Sequence, residues 1–100
     1  MMMTTIQNQI KAAALKEPKT VEQQFLKLSE EVGEAAQAYL AAMKVSGNDY
    51  KQLTKVDVQE ELVDVLLVTY AILYKLDISD EALNALLTQK VTKWLSHQKH

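Results

Sequence analysis

Helical periodicity runs through most of this chain and is interrupted at few positions, which limits its fold more than any other feature. The sequence contains two glycines and one proline, and neither glycine lies in the alternating apolar pattern of a strand. Ala, Leu, Glu, Gln and Lys, which all favour helices, dominate the remainder. We therefore predict an all-α fold. A length of 100 residues fits one domain covering residues 1–100.

Start and stop signals predict four helices. The first spans about Thr5 to Lys16, because Pro18 disfavours helix at the residue before it. Thr20 and Gln23 have the spacing of a capping box, which begins the second helix.

A turn cluster, Ser46 to Asp49, ends the second helix, and the helical pattern resumes near Lys51 and persists to Leu76. Asp77 or Ser79 can cap the fourth helix. The second and third helices should therefore form an antiparallel hairpin at the centre of a four-helix bundle-like domain.

Large apolar residues form stripes that we expect to lie in the core. They are Phe25, Leu28, Val32, Ala35, Ala36, Tyr39 and Met43 in the second helix, and Leu83, Leu86, Leu87, Val91, Trp94 and Leu95 in the fourth. The third helix is apolar around nearly its whole circumference, which indicates burial on all sides. In so short a chain this predicts a homo-oligomer, with dimer and tetramer both open.

Composition excludes several classes of function. Cysteine is absent, so thiol nucleophiles, disulfides and thiolate zinc sites are excluded. A net charge of -2 argues against nucleic acid as a partner, because phosphate binding needs a basic surface. No apolar run reaches the ~20 residues of a membrane span, and no signal-peptide pattern is visible. We expect a cytoplasmic protein that does not bind membranes.

Two acidic clusters of the same design lie in the second and third helices. Each has a Glu-Glu pair followed by an acid three residues on, which places Glu31 with Glu34, and Glu61 with Asp64, on adjacent turns of one helix face. The midpoint between the two pairs along the chain falls at Gly47-Asn48, so an antiparallel hairpin brings them to one level, ~22 Å from the turn.

Four carboxylates at one level repel each other unless a cation neutralises them. Oxygen ligands suit Mg²⁺, with Mn²⁺ as the alternative, and Mg²⁺ commonly accepts phosphate oxygens as further ligands. Either acidic cluster alone is typical of a solvated helix face. Their duplication at a common level favours a metal site formed by Glu31, Glu34, Glu61 and Asp64.

The pattern Glu-Glu-x-x-Glu followed by Glu-x-x-Asp resembles the MazG-like, all-α nucleoside triphosphate pyrophosphohydrolases. The segments from Phe25 to Leu40 and from Glu60 onward carry the resemblance, which covers most of the chain. It implies Mg²⁺-dependent hydrolysis of a nucleoside triphosphate to a monophosphate and pyrophosphate, a reaction that could remove unwanted nucleotides from the cellular pool. It also assigns the four acids above as metal ligands.

The same resemblance suggests Glu30 or Glu60 as the group that orients or deprotonates the attacking water. Lys90 and Lys93 fall where the family has a basic C-terminal segment, and they are candidates for binding substrate phosphates. Lys27, one turn before Glu31, is a third candidate, although an ion pair with Glu31 is an equally good interpretation.

This chain departs from the family where Trp94 and His97 replace arginines. Two alternatives to an active enzyme therefore stay open. One is a nucleotide- or metal-binding protein that has lost catalysis. The other is a helical oligomerisation module whose acids only solvate the assembly.

Overall fold

The computed structural model of this protein describes residues 5–43 and 53–98. Four helices account for most of these residues, and no strand is found among them. They are α1 (Thr5–Lys16), α2 (Val21–Ala42), α3 (Lys55–Lys75) and α4 (Asp80–His97). The prediction of an all-α fold is confirmed. The proposed turn at Ser46 to Asp49 lies outside the described residues. The helix expected to resume near Lys51 begins only at Lys55, because Thr54 is its N-cap and donates its backbone N–H to the Asp57 carboxylate at 2.8 Å.

Local capping interactions set where the helices begin. The Thr20 hydroxyl accepts a hydrogen bond from the Gln23 backbone N–H at 3.1 Å, and the Gln23 side chain accepts one from the Thr20 N–H at 2.9 Å. The predicted capping box of α2 is thus confirmed. At the start of α4, the Ser79 hydroxyl accepts from the Ala82 N–H at 3.0 Å, which identifies Ser79 as the cap.

Helices α2 and α3 pack against each other in antiparallel fashion, and α1 packs on α3. The direction follows from the residues that share clefts: Ala38 of α2 borders Leu53 before α3, whereas Gln24 of α2 borders Val68 and Ala71 near the other end. Near its C-terminal end, α3 is also tied to the α1–α2 connection, since the Lys75 ammonium donates to the Glu17 carbonyl at 2.6 Å.

A small core joins α1, the end of α3 and the first turn of α4. Ala14, Tyr74 and Leu83 are its buried members, and Tyr70, Ala71, Leu73 and Ile78 pack around them. An ion pair between Lys11 and Asp80 (3.3 Å) lies at the same junction. Beyond this junction, α4 packs against no other described helix. The four-helix bundle is therefore not confirmed.

Two of the expected core stripes are only partly buried in the single chain. In α2 the predicted members Phe25, Val32 and Tyr39 are exposed. Ala35, another predicted member, is buried together with Ala38, because α3 packs on the side of α2 that carries these alanines. Small side chains on that face let the two helix axes approach closely.

In α4 only Leu83 is buried, and the other large apolar residues are exposed because the helix projects beyond the core. They are Leu86, Leu87, Val91, Trp94 and Leu95. Within one chain, α3 buries only Ile72 and Tyr74 of its residues, so complete burial of α3 stays a prediction about an assembly. Among the described helices, none combines the length and apolar character required to cross a membrane.

Candidate metal centre

Three carboxylates from two helices meet at one level of the α2–α3 pair. One carboxylate oxygen each from Glu31, Glu34 and Glu61 lies within 4.8 Å of those of the other two. Glu31 and Glu34 are one turn apart on α2, and Glu61 faces them from α3. We call these three residues the carboxylate cluster. The structure thus brings together three of the four ligands that the sequence indicated.

Glu31 is the buried member of the carboxylate cluster, with 6% of its surface exposed. Its carboxylate pairs with the Lys27 ammonium at 3.0 Å, across one turn of α2. The hydrogen bond and charge of Glu31 raise the pKa of Lys27 above its ordinary value, so the lysine is a cation at neutral pH. The ion-pair interpretation of Lys27 is thus observed, and the same ammonium sits beside the cluster, where a phosphate could reach it.

Glu61 lies in the field of its acidic neighbours. Burial raises the pKa of the Glu61 carboxyl, and the negative charges of Glu34, Asp64, Glu31 and Glu60 raise it further. Protonation of Glu61 or the binding of a cation would each relieve this repulsion. Carboxylate oxygens at these spacings are the ligands that a hard divalent ion such as Mg²⁺ prefers, so the donor set fits the metal indicated by the sequence.

Asp64 lies outside the carboxylate cluster. It is exposed and borders a shallow cleft with Val56, Glu60 and Val63, which all belong to α3. Asp64 is nevertheless close enough to Glu61 to raise its pKa. The fourth predicted ligand is therefore in electrostatic range of the centre without being one of the converging groups.

The two candidates for handling the attacking water occupy different positions. Glu30 lines a cleft together with Glu34 and Glu61, and its carboxylate lies 3.9 Å from the Lys27 ammonium. Glu60 borders the other cleft, with Asp64. Of the two, Glu30 is the better placed to act on a molecule bound at the carboxylate cluster.

Lys90 and Lys93, the other candidates for binding phosphate, are on the exposed part of α4. Neither forms an ion pair with an acid of the described residues. Because α4 does not pack on α2, the structure does not bring these two lysines to the carboxylate cluster of their own chain.

An apolar groove of about 420 Å³ lies between α1, α2 and α3, and Lys27 borders it next to the carboxylate cluster. Its walls are mainly aliphatic, with Ile6, Ile10, Ala13, Leu67 and Val68 among them. This volume is within the range typical of small-molecule sites.

Gln24, a buried polar residue, also lines this groove. Sequence reasoning did not identify Gln24. The available signal was its spacing, because residues 24, 27, 31 and 34 recur every three or four positions and therefore share one face of α2.

Comparisons of this chain with protein-family models, with curated proteins and with solved structures found no match. Support for a function of this centre therefore comes from its own residues and from the acidic motif they form.

Proposed function

We propose that this protein is a Mg²⁺-dependent nucleoside triphosphate pyrophosphohydrolase. The observation that carries the proposal is the convergence of Glu31, Glu34 and Glu61 from two helices, with Glu31 buried and all three within reach of one cation. Lys27 offsets one of these three negative charges, and a divalent cation would offset the remaining excess.

The reaction would be attack of water on the α-phosphorus, with cleavage of the bond to the bridging oxygen and release of pyrophosphate and a nucleoside monophosphate. Mg²⁺ held by the carboxylate cluster would supply charge neutralisation of the phosphates and a lowered pKa for a nearby water. Glu30 would orient the water or accept its proton. Lys27 would add positive charge where negative charge accumulates.

The apolar groove supports a substrate with a hydrophobic part next to its phosphates. With phosphates at the carboxylate cluster and Lys27, a base and sugar could extend along Leu67 and Val68 into the groove. Mn²⁺ could replace Mg²⁺, because both ions take oxygen ligands. Cellular house-cleaning of the nucleotide pool, a cytoplasmic location and the MazG-like relationship belong to the same proposal.

The test is a panel of nucleoside triphosphates incubated with Mg²⁺, with detection of released pyrophosphate. We expect turnover by the natural chain and a loss of about 100-fold or more in Glu34→Gln, because such a change removes a charge from the centre. Glu22→Gln is the matched control, since Glu22 is an exposed acid in the first turn of the same helix. Turnover unchanged in Glu34→Gln would contradict the proposal.

One observation favours a second candidate, a nucleotide-binding protein without catalysis. Lys27 is the cation that contacts the carboxylate cluster in the described part of the chain, whereas Lys90 and Lys93 are remote within one chain. Calorimetry with a non-hydrolysable triphosphate analogue separates the two. Mg²⁺-dependent binding without turnover of any triphosphate identifies the binder, whereas neither binding nor turnover would favour a pure oligomerisation module.

A further inference from the structure

Helix α2 buries two polar side chains on one face, and only one of them has a polar partner. Gln24 is 4% exposed and Glu31 is 6% exposed. Residues 24 and 31 are about two helical turns apart, which places them nearly in line and about 10 Å apart along the helix axis. Glu31 is paired with Lys27 at 3.0 Å. The Gln24 side chain forms no hydrogen bond with any described part of the chain.

A buried amide without a partner is uncommon, because burial removes hydrogen bonds to water that the folded chain normally replaces. Among the described residues, no polar side-chain atom is both sealed from solvent and without a hydrogen-bond partner. The Gln24 amide therefore remains accessible, and the cleft that Gln24 lines is the apolar groove. A molecule bound in the groove can supply the hydrogen bonds that the protein does not.

The other polar side chains that line the groove are either paired or exposed. Glu17 accepts a hydrogen bond from the Lys19 ammonium at 3.4 Å. Lys27 is paired with the carboxylate cluster, and Gln9 is exposed. Of the polar residues in this lining, Gln24 is therefore the buried one whose donors and acceptor are available to a ligand.

The chemistry of this amide suits one edge of a nucleobase. A glutamine offers a carbonyl acceptor and an NH₂ donor side by side, and it can form two parallel hydrogen bonds with a base edge that presents the complementary pair. The aliphatic side chains of Leu67 and Val68 would contact the apolar faces of the ring. Lys27 and the carboxylate cluster lie further along the same face of α2, where the phosphates of that nucleotide would be.

We propose that Gln24 recognises the base of the substrate and so determines which nucleoside triphosphates are used. The inference rests on the proposed function and adds to it the residue that sets base preference. A site that hydrogen-bonds a substrate group rejects an analogue without that group, because the buried polar group of the protein is then left unpaired.

The test measures kcat/KM for the triphosphates of the natural bases and of two analogues, purine riboside and pyrimidinone riboside. Each analogue lacks an exocyclic amino group or oxygen at one edge of the ring. We expect the natural chain to prefer one base and to use the analogue of that base at least about tenfold less well, because a hydrogen bond to Gln24 is lost.

Gln24→Met keeps the unbranched shape of the side chain and removes the amide. In this variant the preferred base and its analogue should have nearly equal kcat/KM. Its Tm without ligand should be no lower than that of the natural chain, since the amide has no partner in the fold to lose. Gln89→Met, at an exposed position of α4, is the matched control and should keep the base preference. Circular dichroism measures the helix content of both variants.

Binding of nucleosides without phosphate or metal separates this inference from the proposed activity. Saturation-transfer nuclear magnetic resonance compares each natural nucleoside with its analogue. The natural chain should bind at least one natural nucleoside more tightly than its analogue, and Gln24→Met should bind the two alike. That result without turnover of any triphosphate would support recognition by Gln24 and contradict the proposed hydrolysis.

Several results would overturn the inference. Turnover with the same base preference in Gln24→Met would remove the role of Gln24 and leave the proposed hydrolysis intact. A lower Tm or lost helix content in ligand-free Gln24→Met would show that the amide supports the fold instead. Equal kcat/KM for all bases and analogues in the natural chain would show that no base edge is recognised. Neither turnover nor nucleoside binding would contradict both proposals.

Discussion

The carboxylate cluster between α2 and α3 and the projecting part of α4 differ in opposite ways from an ordinary folded chain, which buries apolar side chains and exposes polar ones. At the first, Glu31 is buried. Along the second, Leu87, Trp94 and Leu95 are exposed. Buried polar groups and exposed apolar patches are the informative departures in a folded chain, because ordinary packing explains neither.

The difference shows that the two regions lack different things: one lacks positive charge and the other lacks apolar contacts. The carboxylates need positive charge, which Lys27 partly supplies and a divalent ion would supply more fully. The exposed apolar side chains of α4, among them Leu87, Trp94 and Leu95, need apolar cover, which the homo-oligomer expected from the sequence would provide. A single cation can satisfy the first requirement, whereas the second requires burial of an extended apolar surface.

The largest expected effect on stability distinguishes a truncation in the anchored first turn of α4 from one in its projecting part. Leu83→Ala should cost about 2 to 5 kcal/mol in the free energy of unfolding, because it leaves a cavity between Ala14 and Tyr74. Leu95→Ala should cost little at concentrations where the chain is monomeric, since Leu95 is exposed there. Urea unfolding at several protein concentrations measures both changes.

If the chain assembles through α4, the cost of Leu95→Ala should grow with protein concentration, whereas that of Leu83→Ala should not depend on concentration. Equal costs for the two variants in the monomer would remove the distinction between the anchored turn and the projecting part.

A smaller effect concerns Glu61 and the dependence of stability on pH. Burial and neighbouring acids raise the pKa of Glu61 in the folded chain, so the folded state binds this proton more tightly than the unfolded state. The stability that protonated Glu61 contributes is fully present below its ordinary pKa of 4.5 and is lost as pH rises through the raised folded value.

Without metal at neutral pH, Glu61→Gln should therefore have a higher Tm than the natural chain, and the difference should shrink as the pH falls below that range. Added Mg²⁺ should raise the Tm of the natural chain more than that of the variant. Thermal melts across pH with and without Mg²⁺ measure this. A Tm difference that stays constant with pH would contradict the assigned repulsion.

The four helices and the meeting of the three carboxylates were predictable from the sequence, because helix start and stop signals and helical spacing determine them. Pro18 and Thr20 determine the end of α1 and the start of α2, and the predicted limits of α1, Thr5 to Lys16, are those observed. The convergence of Glu31, Glu34 and Glu61 follows from helical spacing and an antiparallel hairpin.

The packing faces were not predictable in the same way. Periodicity identifies an apolar stripe but not the partner that covers it. In α2 the predicted stripe includes Phe25, Val32 and Ala35, yet only its Ala35 side packs on α3, together with Ala38, because small residues allow close approach. Glu61 and Asp64 share a motif, but Asp64 lies about 60° further around α3 than Glu61, and only Glu61 meets the acids of α2.

The most direct test of the central claim is a titration with Mn²⁺, in which electron paramagnetic resonance measures the free ion. The carboxylate cluster predicts that the natural chain binds Mn²⁺ and that Mg²⁺ competes for the same site. Glu61→Gln should bind at least about tenfold more weakly, since it removes one of three charged ligands, whereas Glu22→Gln should bind like the natural chain. No binding by the natural chain, or equal binding by all three proteins, would contradict a metal centre between α2 and α3.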